Sequence, residues 1–588
     1  MSILFILALT ACRTNADPLD TAGLEGTGWD TGPDDLDEDG FGADLDCDDT
    51  DPEVNPAAAE TCDAIDNDCD GLIDEELLVE RFLDSDQDGY GSNELEMVCP
   101  DALGYADQEG DCDDAEALAH PGLEEVCSDG IDNDCDGGSN DCAPAGNMDT
   151  TSAVYGLLGN QEEDLLGLDV FGSEDLDGDG LGDVLVGSLK GGRDVPESGA
   201  AFLLRTQPSG VNEVSSVVDA QVTSDLERDF LGYCVRGGVD LNDDAQLDWV
   251  ACAPGDVNRD TAMANEDRGE VFVFSGDLSG TVDAREGALI RLVGHEPGLH
   301  FGTTAALSNA GGPTLAVGAR AESLIADGAG AVYLFTSPLD AQVSSSDADA
   351  VIRHSLEGER FGTAVALVDL NGDGIADLMA AGQGGAWPED EERGTVAWFN
   401  GPLLGAYQIE DAEGRVVGAP ESLVGQDFST GDMNGDGYLD LAASHYMDGA
   451  TGAYIFTGPI QGDLLISEAP AFIGEESTSN KAGSSLDMGR DMDGDGNADL
   501  LLGAWGTPEG ENHGRAYLFM GPFEGESSLD GARASWGHTE SEAAFGSPVR
   551  FAPDSDGDGT PEVLIGAPYT ADGALYGGAA WLFAGSGL

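Results

Sequence analysis

Basic residues are scarce in this chain: 21 Lys and Arg stand against 117 Asp and Glu, and only two are lysines, Lys190 and Lys481. The formal net charge of −96 leaves no clustered positive charge with which to hold nucleic acid or an anionic bilayer surface. Long apolar runs are missing too. The one sustained run, MSILFILALTAC at 1–12, is too short to span a bilayer. Histidine occurs seven times, scattered at 120, 295, 300, 354, 445, 513 and 538. The fragment His295-Glu296-Pro297-Gly298-Leu299-His300 has the wrong spacing for a zinc-binding helix, and Pro297 with Gly298 forbids that helix. Neither a Gly-x-Ser-x-Gly elbow nor a phosphate-cradling Gly-rich loop before a helix is present. Cys-x-x-Cys pairs are also absent, which argues against a soft metal centre. These absences argue against an enzyme.

What is present begins with an export signature. Leu9-Thr10-Ala11-Cys12 resembles the lipobox of bacterial lipoproteins, although no Lys or Arg precedes the apolar run. The resemblance implies a signal peptide over 1–11 and acylation of Cys12. With Arg13 following, it also implies retention at the outer membrane or cell surface of a bacterium. Residues 12–33, rich in Thr, Gly, Asp and Pro, read as a flexible tether. Cysteine usage agrees with export: besides Cys12 there are ten, eight between Cys47 and Cys142, then Cys234 and Cys252. Disulfides are expected, with the connectivity of the eight left open. Cys234 and Cys252 flank one hairpin and are candidates to bridge it.

The acid is not spread evenly. Residues 34–146 form a Cys/Asp-rich block in which DLDCDDTDPEVNPAAAETCDAIDNDCDGLIDEE (44–76) returns as GDCDDAEALAHPGLEEVCSDGIDNDCDGGSNDC (110–142). So little Leu, Ile, Val and Phe cannot build a core, so disulfides, metal or both must staple it. From about 150 to 588 the texture changes to short β-branched and aromatic runs. An apolar-Gly pair, an acidic nonapeptide or its remnant, a small-residue strand and a Gly-led aromatic strand recur seven times. Period-two alternation marks strands. Repeats of about sixty residues, each with room for four strands, give an all-β, seven-bladed β-propeller. The final repeat lacks its own fourth strand, and SAVYGLL at 152–158 is expected to supply it and close the ring.

The Phe-Gly … Asp-x-Asp/Asn-x-Asp-Gly-x-x-Asp … Gly-Ala-Pro pattern resembles the FG-GAP repeat family, whose best-known members are the propeller heads of integrin α subunits. The block at 35–142, centred on DNDCDG, resembles a bacterial Cys/Asp-rich metal-binding motif.

The nonapeptide explains the acid. Carboxylates at positions 1, 3, 5 and 9, with a backbone carbonyl at 7, are hard oxygen donors suited to Ca²⁺. Gly at position 6 permits the turn. The candidate ligands are Asp175, Asp177, Asp179 and Asp183; Asp369, Asn371, Asp373 and Asp377 with the Ile375 carbonyl; Asp432, Asn434, Asp436 and Asp440; Asp491, Asp493, Asp495 and Asp499; and Asp554, Asp556, Asp558 and Glu562. A weakened site is expected at Asp240, Asn242, Asp244 and Asp248, where Ala245 replaces the glycine. The third repeat, SNAGGPT at 308–314, has no carboxylate and is expected to stay empty. In the N-terminal block, Asp66, Asp68, Asp70 and Asp74 fit the template, and its copy at 132–140 ends in Asn140. Asp35/Asp37/Asp39 and Asp84/Asp86/Asp88 are partial sets lacking a ninth-position acid. The functional expectation is an exported calcium-binding protein whose propeller binds an extracellular protein or glycan. The rivals are a secreted polysaccharide-active enzyme and a metal-sequestering or structural envelope protein.

Overall fold

In the computed structural model, seven five-stranded sheets occupy most of residues 146–583. The described residues are 35–585, less 76, 124–130, 134, 136–142, 192–194, 196, 206–207, 256–267, 385–393, 419–422, 448–449, 476–479, 507–512, 540–542, 556 and 558. The expected signal peptide and tether, Cys12, Cys127, Cys142, Asp556, Asp558 and most of the 132–140 copy therefore lie outside them. Two compact units emerge: Met1–Leu123 with Asp134–Asp136, and Glu124–Asn133 with Gly137–Leu588.

In the larger unit each sheet is built alike. The first contains Leu166–Ser173, Asp183–Ser188, Ala200–Leu204 and Ala220–Thr223 as an antiparallel meander. A fifth strand, Gly280–Asp283, comes from the next repeat and runs parallel along the outer edge. The expectation of four strands per repeat thus misses one. These fifth strands are short and mostly exposed, held by backbone hydrogen bonds rather than by buried side chains, so no hydrophobic alternation announces them. The second strands are the opposite. Asp183–Ser188, Asp248–Ala253, Asp377–Gly382, Asp499–Ala504 and Glu562–Ala567 are buried throughout, because both sheet faces are covered.

The first strands contact one another in chain order, and that of the last sheet, Val549–Ala552, contains contacts back to Leu166–Ser173. This is a closed β-propeller. The apolar-Gly pairs make the seams. Leu166, Leu231, Phe361, Val424 and Phe545 each bridge to the glycine that leads a neighbouring sheet's third strand. The glycine of the pair then passes close to that strand. Gly167 has φ +79°, and a Cβ there would meet the Ala579 carbonyl oxygen at 2.1 Å, so no side chain fits.

Closure follows the sequence reading. Tyr155–Leu158 pairs antiparallel with Ala579–Phe583, matching Leu157 with Ala580 and Gly156 with Trp581. It is not the outermost strand, since Gly210–Glu213 adds parallel to it. A further junction was not legible: Gly146–Asp149, placed at or before the expected boundary, pairs with Ala534–Gly537 and completes the sixth sheet.

The N-terminal unit has a three-stranded sheet of Leu95–Val98, Val79–Leu83 and Tyr105–Ala106, and a two-stranded parallel pair, Tyr90–Gly91 with Gln108–Glu109. Its buried apolar side chains among the described residues are Val54, Ala106 and Ala119. So small a core cannot offset chain entropy, and disulfides Cys47–Cys69, Cys62–Cys99 and Cys112–Cys135 brace it. In the propeller, Cys234–Cys252 bridges the hairpin as expected.

Candidate metal-binding loops

Every acidic nonapeptide lies between the first and second strands of its sheet, and the loops share one hydrogen-bond scheme. The position-1 aspartate accepts the position-6 N–H at 2.7 to 3.0 Å in all six loops, from Asp175 through Asp554. At position 3, Asp177, Asn242, Asn371, Asn434 and Asp493 accept the position-5 N–H. Asp179, Asp244, Asp373, Asp436 and Asp495 at position 5 accept the position-7 N–H. The chain therefore curls around its own carboxylates. Position 6 has positive φ, as expected, and so does position 4, where Gly178, Gly372, Gly435, Gly494 and Gly557 sit. The sequence reading credited only the position-6 glycine; the second one, in every Gly-Asp-Gly, was the signal it passed over.

The ninth-position acid opens the buried second strand. Asp183, Asp248, Asp377, Asp440, Asp499 and Glu562 are at most 1% exposed. Each accepts the position-2 backbone N–H at 2.7 to 3.0 Å. The second oxygen differs among repeats. In Asp377, Asp440 and Asp499 it takes the N–H of Gly401, Gly458 and Gly521. In Asp183 and Asp248, Oδ1 is buried with no hydrogen-bond partner. Burial pushes Asp183, Asp248 and Asp499 up to about 7, with added repulsion from the acids of their own loops. An anionic oxygen buried without a donor is costly, and a cation would relieve that cost at Asp183 and Asp248. The donor set is all oxygen, which fits Ca²⁺.

Two repeats differ from the others in sequence. In the second, Ala245 is held at φ +69° and Asp243 at +64° to keep the same loop. Ala245→Gly is expected to stabilise the propeller by about 1 kcal/mol, the usual cost of a left-handed non-glycine residue, read as a higher denaturant midpoint. In the third, Gly311 and Gly312 have positive φ, Gly312 N–H donates to the Asn309 carbonyl, and Ala376 N–H donates to that of Ala310. Ser308 Oγ accepts Ala310 N–H and Thr314 Oγ1 donates to the Gly312 carbonyl, so backbone and hydroxyl groups close the turn without a carboxylate.

In the N-terminal unit, Asp66, Asp68 and Asp70 come together with the same scheme, Gly71 N–H donating to Asp66 at 2.9 Å. Asp74 accepts from the backbone of Asp63 and Ala64 instead of from position 2. Glu60 and Glu75 approach Asp68, a grouping the nonapeptide template did not contain.

The first strands of the propeller enclose a cavity of about 600 Å³ whose lining includes Asp169, Arg236, Asp427, Asp487 and Arg550. Its carboxylates are engaged across the seams. Asp169 accepts Val235 N–H and pairs with Arg236 at 2.6 Å; Asp427 accepts Leu486 N–H; Asp487 accepts Phe551 N–H. The segment His295–His300 is a turn, with His295 Nδ1 2.6 Å from Ser345 Oγ.

A closed β-propeller with acidic loops between its first two strands, preceded by a disulfide-braced acidic unit, is the class these features define. Comparison with known proteins agrees. The FG-GAP repeat model matches residues 361–397, and a model described as "Putative metal-binding motif" matches 46–75 and 111–141. Integrin alpha-7 of Mus musculus is 32% identical over 154 residues, 25% of this chain and 13% of that protein. Integrin alpha-PS5 of Drosophila melanogaster is 31% identical over 155 residues, 26% of this chain and 15% of its own length. Integrin alpha-V of Gallus gallus is 25% identical over 257 residues, covering 41% and 23%. The chain thus carries an FG-GAP repeat at 361–397 and two copies of the metal-binding motif, and matches less than a quarter of the length of each of these relatives.

Proposed function

We propose that this is an exported, cell-surface protein whose propeller, loaded with calcium at the acidic loops, binds an extracellular protein or glycan. The observation that carries it is the repeated loop geometry. Five loops have the full template in their sequence and fold alike where described, each leading into a buried second strand. Calcium there would hold the loops of neighbouring sheets in fixed conformations, and a rigid loop face is a suitable platform for a ligand. The similarity to integrin α chains supports adhesion by analogy of fold. A non-enzymatic role is favoured by the cavity, whose carboxylates are engaged with backbone N–H groups and arginines. In this reading the lipobox supplies membrane attachment through a lipidated Cys12.

A glycan and protein array probed with the full chain, in calcium and in chelator, tests this. The expected result is one ligand class bound in calcium and released by chelator. Turnover of a polysaccharide in the same samples would instead establish the enzyme reading.

A further inference from the structure

The two partial acidic turns of the N-terminal unit, Asp35/Asp37/Asp39 and Asp84/Asp86/Asp88, fold like the full loops. Gly40 and Gly89 N–H donate to Asp35 and Asp84, and Phe41 and Tyr90 N–H donate to Asp39 and Asp88. Each lacks the ninth-position acid in its own segment. In the propeller that acid is recognised by its bond to the position-2 N–H. Here the position-2 residues are Leu36 and Ser85, and their N–H groups donate to Asp49 and Asp114 at 3.0 and 2.9 Å. The missing acid is therefore supplied from a later segment, twice, at equivalent points of the duplicated sequence.

A second acid arrives with it. Asp46 and Asp111 are 7% and 5% exposed. Each uses Oδ1 to accept an N–H two residues on, from Asp48 and Asp113, and each leaves Oδ2 buried with no hydrogen-bond partner. Asp46 groups with Asp37 and Asp39, and Asp49 with Asp35 and Asp37, their ligand atoms within 4.8 Å of one another. In the second copy, Asp111 N–H donates to the Gly91 carbonyl, just beyond the parallel pairing of Tyr90–Gly91 with Gln108–Glu109, which carries Asp111 to its turn. The delivering segment is braced in both copies, by Cys47–Cys69 and by Cys112–Cys135. Buried carboxylate oxygens converging without a donor need a counter-charge.

We infer that these are two composite sites for a hard divalent cation such as Ca²⁺. One is built from Asp35, Asp37, Asp39, Asp46 and Asp49; the other is its duplicate at Asp84, Asp86, Asp88, Asp111 and Asp114. All-carboxylate donor sets select a hard ion. The inference extends the calcium reading to this unit and does not depend on the propeller loops.

The test is equilibrium dialysis of the full chain against calcium alone. Asp46→Asn with Asp49→Asn, and separately Asp111→Asn with Asp114→Asn, should each lower the bound calcium by one ion per chain, and the fourfold variant by two. Asp48→Asn with Asp113→Asn removes like charge from exposed neighbours and should change nothing. Peptide mapping of the three disulfides checks that each variant folds; if a double variant loses them, the single changes Asp49→Asn and Asp114→Asn carry the same expectation. An unchanged count, or an equal loss in the control, overturns the sites. Asp369→Ala with Asp373→Ala tests the propeller separately: no loss there beside a loss of two here would sink the propeller reading and sustain this one.

Discussion

Leu157→Asp is expected to abolish folding of the propeller, with soluble yield and protease resistance in calcium lost together. Leu157 is 0% exposed, within a core shared by the first and last sheets that includes Leu166, Val186, Leu564 and Leu582. Losing its burial costs about 2 to 3 kcal/mol, and a carboxylate without a partner there adds several more. The sum is comparable to the roughly 5 to 15 kcal/mol that stabilises a whole domain. The strand also closes the ring, so its loss leaves Ala579–Phe583 as a bare apolar edge open to aggregation. Val211→Asp is the matched control. Val211 lies on the strand outside it, opposite Gly156, and is 57% exposed, so the change should cost less than about 1 kcal/mol. Equal damage from both variants would mean that the ring is closed elsewhere.

Chelation is expected to lower the propeller's melting temperature by more than about 10 °C. A site held at a hundred times its Kd contributes about 2.7 kcal/mol, and at least five loops would lose their ions together. Removing the ions would also leave the like charges of each loop uncompensated, with the ninth-position acids in full burial. Adding sodium chloride in place of calcium should not restore stability, since screening acts weakly on buried charge. A melting curve indifferent to chelator would assign the acid to solvation instead.

The sequence disclosed those parts of the fold whose physics is local and repeated. The apolar-Gly pairs, the buried small-residue strands and the nonapeptides each carry a side-chain requirement that recurs in phase. Even the closing strand was legible, because the final repeat lacks a fourth strand and 152–158 stands unassigned before the first apolar-Gly pair. The fifth strands were not, since Gly210–Glu213 and its counterparts add by backbone pairing and bury almost nothing. Gly146–Asp149 escaped for the same reason. The disulfide pairing and the roles of Asp49 and Asp114 depend on segments brought together only by folding. A spacing template cannot see an acid that arrives from a later turn. The position-4 glycine was visible but needed the backbone angle to give it meaning.

The central claim is that calcium occupies the propeller loops in the register their acids define. A crystal structure grown in calcium, with anomalous data collected at long wavelength, tests it directly. The account predicts one ion in each loop at 175–183, 369–377, 432–440, 491–499 and 554–562, held by the carboxylates at positions 1, 3, 5 and 9, and none at 308–314. Vacant loops under saturating calcium, or an ion at 308–314, would contradict it.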